Sequence, residues 1–123
     1  MRRRNTILAG LELLRRRSPD LWVNNILTFL YASENEGLSV KELASVCRLS
    51  EATASRSIRS FAAPEATGAL RPALGLVELV ENPADGRGRP VFLTDEGRRV
   101  ASELDQLILQ AQTIAATPMA RRA

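Results

Sequence analysis

The sequence predicts a mainly α-helical single domain with one small β-hairpin, and three observations lead to this prediction. Apolar residues recur at helical spacing along most of the 123-residue chain. Aromatic residues make up only 4% of the chain, so the core depends on Leu, Val, Ile and Ala, which favours helices. Two short apolar runs lie on either side of a Gly- and Pro-rich segment, and this pattern is typical of a hairpin. A chain of this length forms one domain, which we place over residues 1–123.

Residues 5–35 predict two helices. In the first, four apolar residues recur at helical spacing: Ile7, Leu8, Leu11 and Leu14. The second is expected to start at Ser18 as its cap, because Pro19 suits the first helical position and Asp20 suits the first turn. From Trp22 onward the segment is apolar almost all round, so we expect this second helix to be largely buried.

Residues 38–62 predict two short helices joined by a three-residue turn. Ser39 and Glu42 form a capping box at the start of the first helix, and Ser50 caps the second, which covers 51–62. The second helix is expected to bury three apolar residues: Ala54, Ile58 and Phe61. Its opposite face is expected to expose five polar residues: Thr53, Ser55, Arg56, Arg59 and Ser60.

The rest of the sequence predicts a loop, a hairpin and a long helix. Prolines and glycines mark residues 63–75 as an inserted loop. Residues 76–93 are expected to form the hairpin, with strands at 76–80 and 91–93 and a basic tip. Residues 94–115 are expected to form a C-terminal helix with an apolar seam: Val100, Leu104, Leu107, Ala111 and Ile114. We expect this seam to pack on the first helix and, in its distal half, on a second chain.

The order of these elements is that of a winged helix-turn-helix domain, and two segments resemble one family. The segment KELASVCRLSEATASRSIRSF resembles the helix-turn-helix of MarR-type transcriptional regulators, and ADGRGRPVFLTDEG resembles their wing. Five residues match the pattern of that wing in register: Asp85, Arg87, Leu93, Thr94 and Gly97. The resemblance covers about residues 38–103. It implies a transcriptional repressor that binds palindromic duplex DNA as a homodimer, dimerising through its N- and C-terminal helices.

The resemblance places the helix at 51–62 in the major groove of DNA. Thr53, Ser55 and Arg56 are then expected to contact base edges. Contacts with the phosphate backbone are expected from three further residues: Lys41, Ser50 and Arg59. Such contacts fix the register of a protein on DNA and make its affinity sensitive to salt.

The wing is expected to carry a second set of contacts. Arg87 at its tip is expected to enter the minor groove, assisted by Arg89. Asp85 has two interpretations, since it either pairs with Arg87 to hold the guanidinium in place or provides the turn chemistry of an Asp-Gly pair.

Four features depart from the family pattern or invite another interpretation. Residues 63–75 lengthen the connection to the hairpin by about ten residues, and this insertion could contact DNA, a partner or nothing. Arg48 lies where the turn often has glycine, so a positive φ there would be strained. Cys47 is interpreted as a small packed residue rather than as the oxidant sensor found in some members. The chain also has no obvious second closing helix, so a small-molecule effector is not supported.

The composition of the chain limits the classes of function that we expect for it. The chain has no histidine, one cysteine and one lysine, so most general bases, nucleophiles and metal ligands are absent. We therefore expect no enzymatic activity, no metal and no other cofactor. The net charge is only +3, but all basic residues except Lys41 are arginines, the type best suited to phosphate and guanine contacts.

The same sequence favours a cytoplasmic protein that does not enter a membrane. We see no apolar run long enough to span a bilayer and no signal peptide, and a single cysteine fits a reducing compartment. Two other functions share these features. One is a winged-helix module that binds a protein, and the other is a DNA-binding component of a phage or plasmid replication or partition system.

Overall fold

The computed structural model describes residues 4–80 and 88–110. Within these ranges the elements in chain order are α1 (Arg4–Arg17), α2 (Val23–Glu34), α3 (Val40–Cys47), α4 (Glu51–Ser60), β1 (Val77–Leu79), β2 (Val91–Leu93) and α5 (Asp95–Gln110). The two strands pair antiparallel. This arrangement confirms the prediction of a mainly helical fold with a small hairpin, and it is consistent with a winged helix. None of the helices in the described ranges combines the length and the apolar character needed to cross a membrane.

Every one of these elements contributes to a single apolar core. Phe29 of α2 and Phe61 at the end of α4 lie inside it with their ring centroids 5.4 Å apart. Ala54 and Ile58 are fully buried beside them, as predicted. Ser60, predicted to be exposed, is buried instead, because the loop after α4 folds back over this end of the helix and its Leu74 N–H donates to the Ser60 carbonyl.

The boundary between α1 and α2 differs from the prediction. The Ser18 N–H donates to the Leu14 carbonyl at 3.2 Å, so Ser18 finishes α1 rather than capping α2. Pro19 disfavours a helical conformation at the residue before it, and the first helix therefore ends there. α2 begins five residues later, where the Asn25 side chain accepts the Trp22 N–H at 2.9 Å.

α2 is buried on one face only, so the prediction of a largely buried helix is wrong. Its Phe29 face packs on α3, α4, β2 and α5. Val23, Leu27 and Tyr31 are exposed, and their four-residue spacing aligns them on the opposite face. An apolar helix surface is buried only where another element covers it, and in this chain nothing among the described residues covers that face.

The base of the hairpin is tied to the segment that precedes α3. The β1–β2 ladder pairs Val77 with Leu93. In β2, Val91 also accepts the Gly37 N–H and donates to the Leu38 carbonyl. The Glu36 carboxylate accepts the Leu93 N–H at 2.8 Å. A bridge between Ser39 and Pro90 extends this pairing up to the N-cap of α3. The hairpin base therefore has a fixed position beside the start of α3.

The predicted turn between α3 and α4 is present, with both predicted caps. Ser39 and Glu42 form the capping box of α3, and Ser50 caps α4. Arg48 has φ 60° and ψ 42°, the left-handed conformation in which an L residue other than glycine is strained. The Leu49 N–H donates to the Ala44 carbonyl at 2.9 Å, which closes the end of α3.

The start of α5 joins the hairpin to the helix. The Thr94 hydroxyl accepts the Gly97 N–H at 3.0 Å and donates to the Gly75 carbonyl at 2.6 Å. Gly97 is buried against the Leu76 carbonyl, where a Cβ atom would lie only 2.0 Å from the oxygen. Three of the residues that carry the wing resemblance, Leu93, Thr94 and Gly97, therefore have structural roles.

The C-terminal seam packs partly within the chain. Val100 is fully buried, and Leu104 and Leu107 are half-buried against the core. The last two predicted seam residues, Ala111 and Ile114, lie outside the described residues. α1 packs along α5, but Leu14 is its only predicted contact residue that is buried, while Ile7, Leu8 and Leu11 are exposed.

Candidate nucleic-acid interface

α4 has one buried and one exposed face. Successive residues turn by about 100° around a helix, so the buried positions Ala54, Ser57 and Ile58 cluster on one side. The opposite arc is formed by Glu51, Ala52, Thr53, Ser55, Arg56 and Arg59, each of which is at least partly exposed. The three predicted base-reading residues thus lie on the solvent side of α4, together with Ala52, whose exposure the sequence analysis did not single out.

The first turn of α4 is organised by two hydroxyl groups. The Ser50 oxygen accepts the Thr53 N–H at 3.1 Å, and the Ser50 hydroxyl donates to the Thr53 hydroxyl oxygen at 2.9 Å. Arg56 approaches the same oxygen with Nη2 at 3.4 Å. Ser50 therefore uses its proton inside the protein, whereas the hydroxyl of Thr53 accepts twice and keeps its own proton for donation outward.

Arg56 and Lys41 present their charges to solvent. Both side chains are exposed, and within the described part of the chain neither pairs with a carboxylate. Several other arginines are engaged in ion pairs, such as Arg17 with Glu96 and Arg98 with Glu36. A cation without an internal partner is ready to bind an external anion with no pair to break first.

A recess of about 630 Å³ separates α4 from the base of the hairpin, and we call it the wing-side recess. It brings together three predicted site residues from three parts of the chain: Lys41 of α3, Ser55 of α4 and Arg89 of the hairpin. The first turns of α3 and α4 border it as well, and helix N-termini favour anions. Glu42 and Glu51 also line the recess and oppose this field, and the Glu42 carboxylate accepts the Ser39 N–H at 2.8 Å.

A larger recess of about 990 Å³ lies on the other side of α4, and we call it the loop-side recess. Thr53 and Arg56 line its α4 wall, and α2 and the inserted loop supply the other walls. The residues at these walls that the sequence analysis missed include Trp22, Asn24 and Arg71. They are separated from α4 in the sequence, so spacing along the chain does not predict that they lie beside it. Arg71 is nevertheless an arginine within a loop of small residues, which is a signal in the sequence.

The remaining predicted site residues have separate positions. Arg59 is half-buried, with its Nε donating to the Ser55 carbonyl at 3.4 Å and its stem beside Gly68 of the inserted loop. Asp85 and Arg87 lie outside the described residues, so the minor-groove contact and its support remain predictions.

Cys47 is half-buried at the end of α3. Burial raises the pKa of its thiol, and a weaker, opposite effect comes from a hydrogen bond with the Thr28 side chain. The net shift favours the protonated thiol, which is less reactive than the thiolate. These surroundings support the interpretation of Cys47 as a packing residue.

No family model matches the chain, and neither does any curated protein. The chain is similar in structure to the crystal structure of RV1404 from Mycobacterium tuberculosis, with a TM-score of 0.66 and 13% sequence identity. The match covers 98% of this chain and 73% of that one. At this identity the likeness establishes a shared fold, and the function has to be argued from the site.

Proposed function

We propose that this protein is a winged helix-turn-helix repressor, similar to MarR-type regulators, that binds a palindromic duplex site as a homodimer. The observation that carries the proposal is the exposed arc of α4, which presents hydroxyl groups and arginines between two open recesses. A helix with polar groups on a protruding face fits the major groove, where base edges can be distinguished.

In this proposal α4 is the recognition helix. Arg56 has an exposed guanidinium of the kind that forms two hydrogen bonds with guanine, and Thr53 offers a hydroxyl proton to a base acceptor. Ser55 reads bases from the wing side of the helix. The exposed methyl group of Ala52, in the first turn, fits against the methyl group of a thymine.

The wing-side recess provides the phosphate contacts. Lys41 and Arg89 both line this recess, so one strand of the backbone can approach both. Two helix N-termini border the same recess and add their partial positive charge. Arg59, further along α4 and outside this recess, is a separate proposed phosphate contact.

We predict that Lys41→Ala and Arg89→Ala each weaken binding to all duplexes to a similar degree. Each change removes one phosphate contact, so the slope of log affinity against log salt concentration should fall in magnitude by about 1. Fluorescence anisotropy with one labelled duplex at several salt concentrations measures both quantities. Arg4→Ala is the matched control. Arg4 is exposed at the N-terminal end of α1, and it lines neither recess. Unchanged slopes in both recess variants would contradict the proposed backbone contact.

The proposed homodimer uses an apolar groove of about 520 Å³ between α1, α2 and α5. Ile7, Leu11 and Ile108 line this groove, and Ile7 and Ile108 are 66% and 58% exposed in the single chain. A second copy packed about a two-fold axis would cover these side chains. It would also present two recognition helices about one DNA turn apart, which a palindromic site requires.

We predict that Ile7→Glu converts the protein to a monomer. The substitution places a charge in the proposed interface, while the high exposure of Ile7 means that the isolated chain tolerates it. Size-exclusion chromatography with light scattering measures the mass of each form. Val46→Glu, at an exposed apolar residue of α3, is the control and should remain dimeric. A wild-type chain that is monomeric at high concentration would contradict the dimer.

A further inference from the structure

The inserted loop is fixed to the C-terminal end of α4 by main-chain hydrogen bonds. The Leu70 N–H donates to the Arg59 carbonyl at 3.0 Å, and the Leu74 N–H donates to the Ser60 carbonyl at 3.2 Å. The Gly75 N–H donates to the Ala62 carbonyl at 3.1 Å. These bonds satisfy carbonyl groups that a helix end leaves without internal partners. The loop thus has a defined position relative to α4.

This attachment holds Arg71 at the rim of the loop-side recess. Arg71 is exposed, and within the described part of the chain it pairs with no carboxylate. Arg56 lies on the α4 wall of the same recess, and Asn24 lies on the α2 wall. Asp20 also borders the recess, but the two arginines outweigh its single charge.

The chemistry of the recess fits a polar, negatively charged strand. Its floor carries the hydroxyl groups of Ser57 and Ser60 and the amide of Asn25, which donates to the Ser57 oxygen at 3.0 Å. Guanidinium groups at the rim bind phosphate oxygens through paired hydrogen bonds. The polar groups of the floor are already hydrogen-bonded within the protein, so a phosphate would bind at the rim, through the two arginines.

DNA geometry supplies the reason for a second contact on this side. The major groove is about 12 Å wide and is bordered by two phosphate backbones, so a helix inside it has one backbone on each side. In the proposed complex, the wing-side recess faces one of them. We propose that Arg71, carried by the inserted loop and assisted by Asn24, binds the phosphate backbone on the other side of α4. This inference rests on the proposed function and extends the contact surface beyond the hairpin and the recognition helix.

A phosphate contact at Arg71 makes a specific prediction. Arg71→Ala should weaken binding of every duplex by about tenfold, which corresponds to one charge-assisted contact, and should lower the salt slope by about 1. Arg71→Glu should weaken binding further through repulsion. Base preference should remain that of the wild type, because phosphate contacts carry no sequence information directly.

The experiment combines anisotropy titration with hydroxyl-radical footprinting on a duplex that the wild type retains from a randomised pool. The expected footprint of Arg71→Ala loses protection on the backbone opposite the wing and keeps the rest, with an unchanged urea midpoint of unfolding. Arg4→Ala and Arg4→Glu are the matched controls and should behave as the wild type. The inference would be overturned if both Arg71 variants kept the affinity, salt slope and footprint of the wild type. If Arg56→Ala still relaxed the base preference in that case, the proposed function would stand without the Arg71 contact. A wild-type chain that binds no duplex would overturn the proposed function and this inference together.

Discussion

Gly97→Ala is expected to lower the free energy of unfolding by more than about 3 kcal/mol, which is a large part of the total stability of a small domain. The Cβ of alanine would lie 2.0 Å from the Leu76 carbonyl oxygen and 3.0 Å from its carbon. Both atoms belong to the main chain at the start of the hairpin, so no side-chain rotation relieves the clash. The hairpin and α5 would have to separate, which opens the core around Val77 and Val100.

Urea unfolding followed by circular dichroism measures this effect. Gly10→Ala is a matched control, because Gly10 is also helical and its added Cβ would meet only the end of the Leu104 side chain, at 3.3 Å. Alanine is better than glycine in a helix by up to about 1 kcal/mol, so the control should be neutral or more stable. A Gly97→Ala variant within about 0.5 kcal/mol of the wild type would show that the contact with Leu76 is not tight.

Arg56→Glu is expected to weaken binding to the preferred duplex by at least about 30-fold. One well-placed arginine contributes about 1 to 3 kcal/mol of base discrimination, and the reversed charge adds repulsion from the surrounding phosphates. Arg56→Ala should weaken binding less and should relax the preference at one base pair in each half-site. Sequencing of the duplexes retained from a randomised pool measures the preference, and anisotropy measures the affinity.

Stability should be unaffected by either change at position 56. The side chain is exposed, and its contact with Thr53, at 3.4 Å, is a weak hydrogen bond. Arg4→Glu, which makes the same charge change at the far end of α1, should retain nearly full affinity. Equal losses of affinity in Arg4→Glu and Arg56→Glu would mean that net charge alone controls binding. An unchanged base preference in Arg56→Ala would remove Arg56 from the base-reading set.

The elements that the sequence predicts well are those defined by local chemistry. The capping box of Ser39 and Glu42 and the cap at Ser50 act over three residues, so they can be read without knowledge of the fold. Thr94 acts over the same short span at the start of α5, where its hydroxyl accepts the Gly97 N–H. The same reliance on local chemistry gives the wrong start for α2. The segment Ser18 to Asp20 can end one helix as well as begin the next.

Features that depend on packing are not accessible from the pattern of apolar residues. The outer face of α2 is apolar, but whether Leu27 is buried depends on whether another element covers it. Ser60 is buried by a loop whose hydrogen bonds use main-chain atoms, which have no sequence signature. Arg71 belongs to the candidate site because that loop returns to α4, and spacing along the chain does not indicate this return.

Selection of wild-type protein on a pool of randomised duplexes, at a low and a high salt concentration, tests the central claim most directly. We predict retention at low salt that falls steeply at high salt, with enrichment of a palindrome whose half-sites are centred about 10 base pairs apart. No retention at low salt would contradict DNA binding and would favour a winged-helix module that binds a protein.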